Sequence, residues 1–409
     1  MKKLTIAVLS LAILISACSS KLETSTPTPS PMPVSVPQNN PFTAAACVVF
    51  RHDFIKQAIP IPSSVVVKNN ARDGVLRYSL NGSRLERWKF NSLDQVSDFN
   101  VIRIAPDQDD SQTLIYIITD NSGIRIVADH GGEKTTLVSY PVGVMITRLI
   151  SVPGTDLIVF STLEQAPDGT SARSKVYISH YSSMGSTSPA LVEDSNVARM
   201  TLPVAGHLDG KGNPDGVWLT YTWWGLEGDL MTETQAGLDY FDLNTKEKET
   251  ILGDGCIFST LSTSQKWATW FAKDSVNATD IQTGQTITIP FSNENNRGAH
   301  ALISPSDGYL VWVEGTGLEY NNTLTTSLRI ANLNGKILAE YPSTDLAKTV
   351  KIKEQISILP VGWMVKENEG LVVGISSVMA EKSFLLFLDI NHQKIGEVAE
   401  GEFASFAYP

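Results

Sequence analysis

Hydrophobic and polar positions along this chain change over in short blocks. Beyond position 62, brief runs rich in Val, Ile, Tyr, Trp and Thr are cut by Gly, Asn, Asp and Pro. No apolar stripe keeps the 3.6-residue spacing of a long helix, so the blocks predict strands joined by turns. The most apolar runs fall at 64–68 (SVVVK), 113–119 (TLIYIIT), 157–162 (LIVFST), 217–223 (VWLTYTW), 267–272 (WATWFA), 309–314 (YLVWVE) and 371–376 (LVVGIS). Six of them follow another hydrophobic run, opening at Phe99, Ile146, Val197, Cys256, Ala299 and Ile356. Two further runs joined by a polar turn come after each. One unit of four strands therefore recurs seven times, at about 53 residues per unit.

A four-stranded antiparallel unit repeated in series is the blade of a β-propeller. The fold class predicted over residues 42–409 is all-β: seven four-stranded blades in a ring. The first unit lacks a first strand, and the C-terminus carries an orphan of that type, 403–408 (FASFAY). Supplying the missing strand from the C-terminus would close the ring and leave no open edge. A sandwich of the same strands is the competing arrangement, and six or eight blades are the neighbouring counts.

The first 41 residues follow other rules. Met1-Lys2-Lys3 is a positive start, and an apolar run extends from Leu4 to Ala17. That run is too short to span a bilayer, which takes about 20 residues, and reads as the apolar part of a signal peptide. It ends in Ile15-Ser16-Ala17-Cys18, which resembles the lipobox of bacterial lipoproteins. The resemblance implies cleavage after residue 17 and acylation of Cys18, two or three chains being enough for stable anchoring. A plain secretory signal with a chance cysteine is the alternative. Residues 18–41 then form a linker holding six of the 20 prolines. Such a stretch favours extended polyproline II and could reach about 70 Å.

The turn after the first strand reads Ser304-Pro305-Ser306-Asp307-Gly308 in one unit, Ala105-Pro106-Asp107 in another and Val152-Pro153-Gly154 in a third. These resemble the turns of TolB-like and WD-repeat-like propellers of bacterial envelopes. The lipobox resemblance, in turn, implies a lipid-anchored protein facing outside the cytoplasm, on the cell membrane or the outer membrane.

Candidate chemistry is sparse. The second-to-third connections at 164–174, 224–237 and 315–327 are read as enlarged loops sharing one face. On the middle one, Trp223 and Trp224 stand beside Glu227 and Asp229, a grouping that could stack a sugar or hold a cation. Packing between blades is the plain alternative for both tryptophans. Arg297 and His300 lie on a connection that opens on the same face and could meet an anion. The string His207 to Val217 (HLDGKGNPDGV) resembles the calcium loop of other propellers through Asp209, Asn213 and Asp215. Lys211 sits where that pattern wants a carboxylate, so no metal site is assigned. Once Cys18 is lipidated, Cys47 and Cys256 remain as a candidate disulfide in an oxidising compartment. Two buried free thiols are the other possibility.

Composition then limits the function. Lys and Arg total 32 against 43 Asp and Glu, a net charge of −11, and no basic patch stands out, which argues against nucleic acid. No nucleophile elbow, zinc motif, phosphate loop or dinucleotide fingerprint occurs, so no catalytic residue and no cofactor is assigned. The reading leans towards a lipid-anchored binding or scaffold module for a protein or glycan ligand. A propeller enzyme using Glu227, Asp229 or Glu233 near the channel mouth is the rival, and a purely structural envelope lipoprotein is the third reading.

Overall fold

Strands of five to fourteen residues account for nearly all the regular structure of the computed structural model. The chain divides into two units, Met1–Asn40 and Pro41–Pro409. The structure describes residues 61–102, 112–165, 172–183, 188–196, 199–227, 230–316, 325–365, 369–377, 379 and 381–408, all in the second unit. Among them no helix is long and apolar enough to cross a membrane.

The strands form five four-stranded sheets and one of seven strands, each antiparallel throughout, and no sheet closes on itself. In five of the six, consecutive strands pair in chain order, as in Val96–Ile102, Thr113–Asp120, Gly123–His130 and Glu133–Tyr140. The seven-stranded sheet runs through one long strand, Lys248–Leu261. Its first half pairs backwards (Leu238 with Leu252) and its second half pairs forwards (Ile257 with Phe271). Gly253 and Gly255 flank the change of partner, where a lost side chain permits the bend. The sequence pattern divides this strand into two runs; the backbone carries it through without a break.

The last strand, Glu402–Ala407, pairs antiparallel with Ser64–Lys68, and Ser63 donates its backbone N–H to Ala407 O at 2.9 Å. Both ends of the described chain thus share one sheet. A bulge at Ala404 shifts the last strand's alternation, so Phe403 and Phe406 pack into one neighbouring cluster and Ala404 and Ala407 into the other.

Among the described residues, seven hydrophobic clusters join neighbouring groups of strands, six of them between two sheets and one within the seven-stranded sheet. Val66, Trp88, Phe99 and Leu114 join the first four-strand unit to the second. Ile115 and Phe160 belong to the cluster between second and third, and Val176 and Val217 to the next. Trp218 with Phe258, Phe271 with Trp312, and Val311 with Leu371 lie in the three that follow. The seventh cluster sets Val65 and Val67 of the first unit against Met364 and Val372 of the last. Each large side chain buried this way contributes about 1.5–3 kcal/mol.

Two elements depart from the sequence reading. The stretch 224–237 is mostly strand rather than loop: Pro214–Glu227 and Leu230–Asp242 form one long hairpin, paired out to Glu227 with Leu230. Its Thr232 and Thr234 favour extended backbone. A short α-helix, Ser343–Thr349, buries Leu346 and Ala347 in a connection where the strand pattern gave no signal.

Candidate functional site at the cavity between the innermost strands

Among the described residues, seven strands (here called first strands) converge on one cavity, and each carries a β-bulge at a matching position. The skipped residues are Asp98 and Phe99, Thr147, Val204, Ser259, His300 and Ala301, Val361, and Ala404. Bulges re-aim side chains and recur beside functional sites. Two of these are double, and each opens on a non-glycine residue in the left-handed region: Asp98 at φ 46° and His300 at φ 53°. Backbone of that kind costs about 1–3 kcal/mol and persists where its surroundings dictate it.

These strands line a cavity of about 470 Å³. Phe99, Phe258, Trp363, Phe403 and Phe406 supply aromatic wall, and Ser259, Thr260, Ser262, Thr263 and Ser405 supply hydroxyls. Gln235 of the long hairpin reaches the wall, as do Pro62 and Tyr408 from the two ends of the chain. Burial pushes the Tyr408 phenol up to about 12, so it stays protonated. Among the described wall residues, Asp98 and Arg148 are the only ionised side chains.

Asp98 is open to solvent but ringed by protein. Lost hydration raises its pKa, opposed by the Leu149 N–H and the nearby Arg148 and Lys68 cations. The Leu149 N–H reaches Asp98 Oδ2 at 3.0 Å, and Asn100 clamps the same neighbouring strand, accepting from Ser151 N at 3.0 Å and donating to Leu149 O at 2.9 Å. On another seam, Ser259 Oγ accepts from Ala301 N at 2.7 Å and Thr260 Oγ1 donates to Ala301 O at 2.6 Å. Much of the wall's polarity therefore serves to join neighbouring first strands.

The sequence-predicted residues fall in several places. Arg297 and His300 share the strand Arg297–Ile303. Arg297 donates to the carbonyl of Asn296 at 3.0 Å, and His300 is exposed, its pKa lowered by the surrounding protein. The connection before them hangs on Glu314, which is buried on the next strand. Its Oε1 accepts from Ser292 N, Ser292 Oγ and Asn296 Nδ2 at 2.6–2.7 Å, and its Oε2 from Trp312 Nε1 at 3.0 Å. Burial pushes this carboxyl up, but these donors outweigh it and the net shift is downward.

Trp223, Trp224 and Glu227 lie on the strand Pro214–Glu227, and Glu233 on its partner, where Trp224 pairs with Glu233. Asp229 lies outside the described residues. In the calcium-like string, Asp209 Oδ1 accepts the N–H groups of Lys211 and Asn213, both at 2.8 Å, which lowers its pKa. Asp215 Oδ1 meets Nδ1 of buried His207 at 2.5 Å. The two carboxylates are thus occupied within a hairpin turn, and no group of three or more metal-binding side chains occurs among the described residues. Cys256 is fully buried and disulfide-bonded; Cys18 and Cys47 lie outside the described residues.

Sequence reasoning missed Asp98, Asn100, Arg148 and Glu314. Each stands as a single polar residue in or beside an apolar run, and the one available signal was that interruption.

No protein-family model and no curated protein sequence matches the chain. Solved structures do. Acylaminoacyl peptidase from Pyrococcus horikoshii is 9% identical over 80% of this chain, with a TM-score of 0.47; the chain spans about half (48%) of that protein's length. The β-propeller domain of the trilobed protease from Pyrococcus furiosus is 11% identical over 80% of this chain and 90% of its own, with a TM-score of 0.45. TolB from Acinetobacter baumannii is 12% identical over 82% and 78%, with a TM-score of 0.35. At these identities and TM-scores the likeness concerns fold alone and adds nothing to what the four-stranded antiparallel sheets themselves show. The lean against catalysis is corrected here: the matched structures include a peptidase, so missing motifs do not set this chain apart from enzymes.

Proposed function

We propose that this chain is a seven-bladed propeller, closed by its C-terminal strand and tethered to a membrane by acylated Cys18, that binds a protein or glycan ligand outside the cytoplasm. The cavity lined by all seven first strands is the observation that carries this reading. The seven clusters support the blade count, since each joins one unit to the next and the last returns to the first. A wall that mixes aromatic rings and hydroxyls suits a ligand with both apolar and polar faces. Cys47 is the partner of Cys256 in this reading, because the lipid occupies Cys18. The long hairpin adds Gln235 to the cavity wall, and the strand bearing Arg297 and His300 adds Leu302 and Ile303.

The test is a thermal-shift screen of the mature protein against short peptides and oligosaccharides, repeated with Arg148→Ala. A ligand that raises Tm in the wild type and loses that effect in the variant supports the cavity as the site. No shift from either class counts against it. Membrane fractionation of Cys18→Ala checks the tether: the variant is expected in the soluble fraction.

A further inference from the structure

The cavity wall carries many polar side chains, and most of their hydrogen bonds go to the protein itself. Asn100 and Ser151 bond to one another and across to the neighbouring first strand. Ser259 and Thr260 bond to Ala301. Ser262 Oγ accepts the Trp267 N–H at 3.0 Å, and Ser405 Oγ donates to the Phe406 carbonyl at 3.0 Å. Gln265 accepts from Trp218 Nε1 at 2.6 Å and donates to Gly206 O at 2.8 Å. Thr263 Oγ1 and Trp363 Nε1 are buried out of reach of solvent. Asp98 and Arg148 are opposite charges on adjacent first strands, so the described wall carries no net charge.

What the wall leaves open is apolar. Ile150, Val204, Leu261, Leu302, Val361 and Phe406 line the cavity and are only half-buried. They come from six of the seven first strands, so the apolar surface runs round the cavity instead of forming one patch. Phe406 meets Phe403 edge to face at 4.9 Å between ring centres. It also lies over Gly362, where a Cβ would come within 2.5 Å of its ring. A glycine there is what lets the ring lie against the wall.

We propose that this cavity takes an uncharged apolar group, a hydrocarbon chain or ring, in preference to a sugar or an ionised side chain. The inference rests on the cavity being the binding site and narrows what enters it. A sugar hydroxyl carried inside gives up water and meets few unspent partners, and an unpaired buried polar group is costly. An apolar group loses nothing and covers half-buried side chains on all sides. The volume of about 470 Å³ falls in the range of small-ligand pockets, about 300–1,000 Å³. A polar portion of the ligand is left to face Asp98, Arg148 and Gln235.

The test is a fluorescence titration of the mature protein with N-phenyl-1-naphthylamine, an uncharged apolar probe. Enhancement that saturates at one probe per chain is expected, displaced by decanol and not by maltotriose. Val361→Asp is expected to weaken binding at least about tenfold, because it sets a charge among apolar side chains, while Val361→Leu stays within about threefold. Ala404→Phe fills the cavity without charging it and is expected to give a similar loss; circular dichroism and Tm check that each variant folds. Displacement by decanol alone assigns a lipid-like ligand. Displacement also by a blocked Phe-Leu-Phe tripeptide assigns an apolar protein segment, and either result supports the inference. No enhancement, displacement by maltotriose, or binding that folded Val361→Asp and Ala404→Phe leave unchanged overturns it. A peptide or oligosaccharide that binds through Arg148 while the probe does not overturns this inference and keeps the cavity as the site. Probe binding with neither ligand class bound discards only the protein-or-glycan reading.

Discussion

Leu149 donates its backbone N–H to Asp98 Oδ2 at 3.0 Å, tying one first strand to the next at a point where the backbone of Asp98 is left-handed. Asn tolerates that conformation and keeps an acceptor, whereas a β-branched residue does neither. Asp98→Asn is therefore expected to stay within about 0.5 kcal/mol of wild type, and Asp98→Val to lose about 2 kcal/mol. Urea denaturation of both variants measures the difference.

Glu314 makes stability depend on pH. Its folded pKa is depressed, so the stability it contributes is present above the ordinary glutamate value of 4.5 and is lost as pH falls through the folded value. Replacing it with Gln points an amide N–H₂ at groups that are themselves donors. Glu314→Gln is expected to cost about 3 kcal/mol at pH 7 and to flatten the acid limb of a Tm-against-pH curve below the ordinary glutamate value of 4.5.

Deleting residues 402–409 removes the partner of Ser64–Lys68 and exposes an apolar edge, Val65–Val67, that is otherwise fully buried. Exposed edges of that kind recruit other chains. The truncated protein is expected to elute as aggregate in size-exclusion chromatography; a monomer with wild-type Tm argues against structural dependence on the last strand.

The string from His207 to Val217 offers a direct check with calcium. Asp209 serves its own turn and Asp215 serves His207. Millimolar calcium is expected to leave Tm unchanged in differential scanning calorimetry. A rise of several degrees that Asp209→Ala abolishes assigns a metal site there.

The strand pattern was legible because most second strands are buried on both faces and read as unbroken Val, Ile and Leu, as at 65–67 and 114–117. The hairpin at 224–237 was not, since Trp, Gly and Glu in succession have no clear period of two. Nor was the run through Lys248–Leu261, where Gly253 and Gly255 look like a turn but form a bend in a continuous strand. The cavity wall was the least legible part. Asp98 and Arg148 come from different units and meet only because their strands become neighbours, and no local spacing encodes that. The bulges are likewise a property of paired strands and invisible in one strand alone.

Val66 pairs with Ser405, so the first described strand finds its neighbour almost at the end of the chain. During synthesis the first sheet stays one strand short until residues 402–407 have emerged. That delay sets an interval in which Val65–Val67 has no shelter from chaperones or proteases. Loop closure over such a span adds only logarithmically to the entropic cost, so the delay is one of timing more than of stability. Proteolytic sensitivity of a nascent or truncated chain would thus be concentrated at a single seam, Val65–Val67 against residues 402–407.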